Sequence, residues 1–236
     1  MSFGPLPPGY SRARAVASFA DLLATPLDRG VNALCWPRTL PAGFDAVVAA
    51  LGDGEGIVPL EEERLLALDL PPAGRAAVAW MLADLHRLRD QGLEPALNCI
   101  YAYPHDDPAA PVATDVYSFH ADRAPIAADT WLCTYHGAPS EALRQDDACR
   151  KVDAPAIRAR LLADYGGPDD AGFREFLADN CYDLHYAPRP GAEPFSFGHG
   201  HLWRIAVEYP GNPVPPCVHR APLVGRESPP RLLLIS

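Results

Sequence analysis

A chain of 236 residues, 48% hydrophobic and 21% charged, is long enough to bury a substantial core and fits one domain. A formal net charge of −10 argues against an extended nucleic-acid groove and against docking on an anionic membrane, both of which need basic stripes. No apolar run is long enough to span a bilayer, and the opening MSFGPLPPGYSRARAV lacks the apolar stretch of a signal peptide, so a cytoplasmic protein is expected. The six cysteines (Cys35, Cys99, Cys133, Cys149, Cys181, Cys217) form no Cys-x-x-Cys pair. They read as free thiols of a reducing compartment.

In chain order, residues 1–15 are rich in Pro and Gly with scattered Arg and read as a poorly ordered arm. A short helix is expected over 19–23, a strand over 31–36 stopped by Pro37, and an amphipathic helix over 44–51 stopped by Gly52-Asp53-Gly54. Residues 57–70 fit a strand followed by a turn. Residues 73–89 give the clearest helix, with Val78, Met81, Leu82, Leu85 and Leu88 at helical spacing and Gln91-Gly92 as the stop. The period then changes to two. Strands are expected over 96–103, 116–121, 130–135, 195–197, 202–207, 218–219 and 232–235. A segment over about 138–190 interrupts them and carries two helical patterns, 154–165 and 173–182, separated by Gly166-Gly167-Pro168. Strand-rich sequence after a helical N-terminal part points to an α+β fold. The expected architecture is a single domain: a support region over 1–95, then a jelly-roll, or cupin-like, barrel over 96–236 with its helical insertion.

The stretch Ser118-Phe119-His120-Ala121-Asp122-Arg123 carries the chemistry. Side chains two apart in a strand share a face, so His120 and Asp122 aim an imidazole and a carboxylate at one point. His219 follows in CVHRAP, and Arg231 heads the apolar run RLLLIS. Two His and one carboxylate on one side of a metal leave open positions opposite, the facial arrangement of non-haem Fe(II) oxygenases.

This order of His-x-Asp, long gap, His, then Arg resembles the Fe(II)/2-oxoglutarate-dependent dioxygenase superfamily over about residues 96–236. The fragments FHADRAP and CTYHG, and HRAP followed by RLLL, also resemble a bacterial family with no assigned activity. The resemblance implies a double-stranded β-helix with Fe(II) held by His120, Asp122 and His219. It implies 2-oxoglutarate as co-substrate, its distal carboxylate on Arg231, a fitting partner for a planar bidentate donor. Family members often carry Ser two residues after this arginine, where this chain has Leu233. Arg226 has the Arg-x-Ser spacing but falls in the turn before the last strand. Arg220 is expected on the opposite face from His219. Asn98, Tyr101 and Tyr103 are the local candidates for hydrogen bonds to the co-substrate. Strand parity puts Tyr101 and Tyr103 on one face and Asn98 on the other unless a bulge intervenes; core filling suits either Tyr equally well.

The implied activity is hydroxylation, or another oxidation, of a small-molecule or peptide substrate; a protein hydroxylase is a further variant. The alternative is a non-catalytic cupin-like module that binds a metal or ligand as a sensor. A competing ligand set, His199 and His201 in Gly198-His199-Gly200-His201 with Glu208 and His219, resembles a cupin metal site. Its glycines more simply mark a tight turn. His105-Asp106-Asp107 reads as a solvated loop. No Gly-x-Ser-x-Gly elbow, Walker-type loop or Gly-x-Gly-x-x-Gly is present.

Overall fold

The computed structural model describes residues 6–223 and 228–236. Among them lie thirteen strands and six α-helices: β1 (Ala13–Ala15), α1 (Phe19–Ala24), β2 (Ala33–Trp36), α2 (Phe44–Leu51), β3 (Ile57–Pro59), α3 (Glu62–Leu66), α4 (Pro72–Arg89), β4 (Ala96–Ile100), β5 (Phe119–His120), β6 (Asp129–His136), β7 (Glu141–Ala142), β8 (Ala148–Arg150), α5 (Pro155–Tyr165), α6 (Ala171–Asp179), β9 (His185–Pro188), β10 (Phe195–Ser196), β11 (Leu202–Ala206), β12 (His219–Arg220) and β13 (Arg231–Ile235). They form a seven-stranded sheet in the order β1-β2-β11-β6-β13-β4-β3 and a six-stranded sheet in the order β10-β7-β12-β5-β9-β8.

The period-two pattern assigns each strand two jobs. On the large sheet, Leu34, Leu97, Cys99, Trp131, Cys133, Leu202, Leu232 and Leu234 pack into a core with α2 and α4. The alternate residues face the small sheet: Ala33, Cys35, Leu132, Trp203 and Ile205 pack against Ala142, Phe197 and Cys217. Helix α4 forms because Pro72 opens it and Ala77, Val78, Met81, Leu82, Leu85 and Leu88 bury one stripe. Its buried Asp84 accepts from Arg38 Nη1 at 2.6 Å, Arg87 Nη1 at 2.8 Å and the Tyr135 hydroxyl at 2.9 Å, clamping the helix to β6 and to the residues after β2.

Several expectations needed correcting. The presumed arm contributes β1, which pairs in parallel with β2 from Ala13 to Ala15. The strand expected over 96–103 stops at Ile100, and the one over 116–121 is two residues long. Within 57–70, β3 is followed by α3. The interruption at 138–190 is helical only in its middle. Its flanks supply β7, β8 and β9, half of the small sheet, and these short strands leave no clear alternation in the sequence. Helices α5 and α6 carry their own small core of Leu161, Phe173 and Leu177 with Val112 and Val152.

Candidate metal centre

The small sheet places the candidate metal ligands by register. His219 on β12 pairs directly with His120 on β5, so the two imidazoles share a face, with ring centroids 4.7 Å apart. Asp122 follows β5 two residues after His120. Its backbone carbonyl accepts from the Glu208 amide at 2.7 Å, which holds the chain extended past the strand end. Asp122 Oδ1 lies 3.8 Å from His120 Nε2, and Oδ2 lies 3.7 Å from His219 Nε2. One ligand atom from each of the three residues falls within 4.8 Å of the others, so His120, Asp122 and His219 form a group able to hold a metal ion.

Local hydrogen bonds set the chemistry of the donors. His120 Nδ1 donates to the Ser118 carbonyl at 2.8 Å, and His219 Nδ1 to the Cys217 carbonyl at 3.3 Å. A neutral imidazole with its proton at Nδ1 keeps a lone pair at Nε2, and both Nε2 atoms face Asp122. Burial, reinforced by the neighbouring His219, pushes His120 down to about 4, so it is neutral near pH 7. For Asp122 burial acts in the raising direction. The two imidazoles and the hydrogen bond donated by the Thr130 hydroxyl outweigh it and hold the carboxyl below its usual range. The site thus presents one carboxylate and two imidazole lone pairs. Burial pushes the nearby Cys217 thiol up to about 12, and Cys217 lies outside the converging group.

These ligands line a cavity of about 250 Å³ between the sheets. The large sheet supplies its other wall, including Asn98, Leu132, Leu233 and Arg231. Arg231 is 3% exposed. Its Nε donates to the Ala138 carbonyl at 2.7 Å, Nη1 to the Tyr103 hydroxyl at 2.7 Å, and Nη2 to Ser140 Oγ at 3.0 Å and Thr134 Oγ1 at 3.5 Å. Among the described residues no carboxylate forms an ion pair with it. Burial pushes its ionisation down, and the Tyr103 and Tyr117 hydroxyls act the other way. Among the described residues its partners are neutral oxygens, and burying a cation costs less when an anion stands beside it.

The predicted residues therefore separate. His120, Asp122 and His219 converge, and Arg231, Tyr103 and Asn98 line the same cavity. Tyr101 does not reach it: its hydroxyl donates to the Gly52 carbonyl at 2.8 Å, on the helix side of the sheet. Strand parity failed here because β4 ends at Ile100, which frees Tyr103 to turn inward beside Asn98. Arg220 lies on the outer face as expected, paired with Glu141 at 2.7 Å and stacked over Phe119. Arg226 lies outside the described residues.

The alternative histidines are occupied elsewhere. His199 Nε2 donates to the Gly137 carbonyl at 2.6 Å, and His201 Nδ1 accepts from the Arg38 amide at 3.0 Å. In the His105 loop, the Asp106 carboxylate accepts from the Thr114 amide and hydroxyl, a local turn contact. A larger cleft of about 560 Å³ includes Arg123, Pro125, Cys181, Glu208 and Tyr209, and the ligand set lies in the smaller cavity instead.

Sequence reasoning missed Ser118, Thr130, Thr134, Ser140 and His185. Thr130 and Thr134 share strand parity with the cavity-lining Leu132 and were legible on that ground. Ser140 and His185 lie in the stretch read as a helical insertion, where no strand pattern marked them. No family model matches the chain, and neither does any curated protein or solved structure. No helix among the described residues is long and apolar enough to cross a membrane.

Proposed function

We propose that the protein is a non-haem Fe(II)/2-oxoglutarate-dependent oxygenase that oxidises a small-molecule or peptide substrate, built on a jelly-roll arrangement of its two sheets. The observation that carries this reading is the pairing, in one cavity, of a His-Asp-His group with a buried guanidinium that has no carboxylate partner among the described residues. The donor set fits a divalent cation: two imidazole nitrogens and one carboxylate oxygen.

Each residue then has a stated task. His120 and His219 offer Nε2 lone pairs because their own backbone carbonyls hold the protons at Nδ1. Thr130 keeps the Asp122 carboxylate charged and oriented. Arg231 grips the outer carboxylate of 2-oxoglutarate, and Tyr103 flanks it. The hydroxyls of Ser140 and Thr134 accept from Arg231 Nη2, in a chain that has Leu233 where members of the family it resembles often have serine. Leu132, Leu233 and Ile100 exclude water and strengthen both electrostatic contacts. Bound Fe(II) supplies the oxygen activation and C–H oxidation that accompany 2-oxoglutarate decarboxylation.

The test is conversion of 2-oxoglutarate to succinate by Fe(II)-loaded protein, with metal content measured alongside. Metal uptake with neither binding nor conversion of 2-oxoglutarate would replace this reading with a cupin-like metal-binding module.

A further inference from the structure

The large sheet ends in a free edge at the rim of the cavity. β3 is its last strand, and among the described residues β4 is the only strand paired with it. The register sets which groups face outward. The Tyr101 amide donates to the Gly56 carbonyl and the Leu60 amide to the Leu97 carbonyl, so Gly56, Val58 and Leu60 are the residues that bond towards β4. Ile57 and Pro59 lie between them and turn their main-chain groups the other way. The edge therefore offers the Ile57 N–H, the Ile57 carbonyl and the Pro59 carbonyl, with no hydrogen-bond partner for them among the described residues.

The same register turns the side chains of Ile57 and Pro59 to the cavity face. They pair with Ile100 and Asn98, which line the cavity, and cross-strand partners share a face. Ile57 lines the cavity itself and is 47% exposed. Ile235 also lines it, is 37% exposed and pairs with the exposed Ala96. An open backbone edge and an apolar rim thus meet at Ile57. An apolar small molecule covers the rim and leaves the polar edge idle, whereas an extended peptide uses both.

Charge narrows the peptide. From Asp53 to Glu63 the chain holds five acidic residues and no basic one. Glu62 is taken by His86 and Arg89. Asp53, Glu55, Glu61 and Glu63 are exposed and have no ion-pair partner among the described residues. The next basic residue, Arg64, acts on Cys99 and Tyr101, which lie on the helix side of the sheet. Acidic groups therefore flank β3 at both ends and favour a basic strand beside it.

We infer that the substrate is a basic, extended peptide that adds to β3 as a further strand. One of its residues exchanges both main-chain hydrogen bonds with Ile57, and another donates to the Pro59 carbonyl. The residue opposite Ile57 shares its face and turns its side chain to the cavity mouth. Pro59 has no N–H, so the added strand is short and charge supplies part of its hold. As a substrate site this rests on the proposed oxygenase; the docking itself needs no metal.

The probe is a blocked heptapeptide of alternating Lys and Val, titrated at low salt into metal-free and zinc-loaded protein, with amide exchange read by NMR. Exchange of the Ile57 amide should slow on binding, while the Val58 amide, already bonded towards β4, should change little. The fully N-methylated peptide keeps the charges without main-chain donors and should bind at least about tenfold more weakly, the scale of two lost hydrogen bonds. Ile57→Pro removes the outward N–H without removing a bond to β4, so it should bind more weakly than Ile57→Ala. Glu55→Gln and Glu61→Gln should each weaken binding by up to about fivefold, and less at high salt. No binding at low salt, an Ile57 amide whose exchange is unchanged, or equal affinity for the N-methylated peptide overturns the docking. Docking without conversion of 2-oxoglutarate to succinate by the Fe(II)-loaded protein overturns the oxygenase reading instead, and conversion without docking leaves that reading standing while this one falls.

Discussion

Replacing Arg231 separates an oxygenase co-substrate site from a bare metal centre. The guanidinium is buried, makes four hydrogen bonds to neutral oxygens and has no carboxylate partner among the described residues. Removing one member of a desolvated charge pair costs about 2–5 kcal/mol of binding, or roughly 30-fold to several thousand-fold in affinity. Arg231→Ala leaves the Ala138 carbonyl without its donor, so Arg231→Gln, which keeps a donor but not the charge, is the companion variant. The assay is thermal unfolding of the zinc-loaded protein with 2-oxoglutarate at about a hundred times the parent dissociation constant. Ligand at that level adds about 2.7 kcal/mol of stability. For a chain of this size about 2–4 °C follows from each kcal/mol, giving a rise of about 5–10 °C in the parent. A 30-fold weaker variant sees the same concentration at about three times its own constant, which adds about 0.8 kcal/mol and about 2–3 °C. Metal content should be unchanged in both variants. Arg220→Ala, on the outer face with Glu141, should behave as the parent. Equal thermal shifts in the parent, Arg231→Ala and Arg231→Gln would remove Arg231 from the site.

Asp122→Ala should abolish most metal binding, because it deletes the one anionic ligand, whereas His199→Ala and His201→Ala should retain it; metal content after dialysis decides, and the reverse pattern would move the site to the Gly-His-Gly-His turn. Tyr103→Phe should weaken 2-oxoglutarate binding by roughly tenfold, the scale of a hydrogen bond to a charged group, while Tyr101→Phe should leave calorimetric affinity unaltered; an equal loss in both would contradict the placement of Tyr101 outside the cavity. The metal-free protein should lose stability with acid. His120 and His185 are both pushed by burial from 6.5 to about 4, so the unfolded chain binds more protons between those values. Their contribution is complete above about 6.5 and is lost as pH falls towards 4; urea midpoints equal at pH 7 and pH 4.5 would refute it.

His120 and Asp122 were legible as a pair because their pattern is short-range, whereas His219 was singled out by the resemblance. His120 and Asp122 are two apart, and an extended chain puts such a pair on one face whether or not a regular strand continues. Arg231 was legible because it heads an apolar run, where a charge stands out. Tyr101 and Tyr103 show where this reasoning ends. Parity applies only while a strand lasts, and nothing in ALNCIYAY announces that β4 stops at Ile100. The small sheet was harder still: β5, β7, β10 and β12 are two residues long, too short for any period to be counted, so Ser140 and His185 could not be placed. Their positions come from long-range pairing, such as His185 with His120, a relation between residues 65 apart in the numbering.

That division between the sheets also bears on the ligand the proposed function calls for. The small sheet holds the metal-ligating group and the large sheet holds the cation, and facing sheets stand about 10 Å apart. Among the described residues no hydrogen bond joins Arg231 to Asp122: the guanidinium donates to Ala138, Tyr103, Ser140 and Thr134, and the carboxylate accepts from Thr130. Under the proposed function, a molecule with an anionic group at one end and metal-chelating oxygens at the other would close the gap and bring a negative charge to each side. A monoanion reaches only one of them. Dianionic 2-oxoglutarate should therefore bind the metal-loaded protein more tightly than pyruvate, which has the same chelating end and lacks the distal carboxylate. The difference between the two should disappear in Arg231→Gln. A parent protein that binds both equally would show that the cavity reads the chelating end alone, and Arg231 would then need another anion.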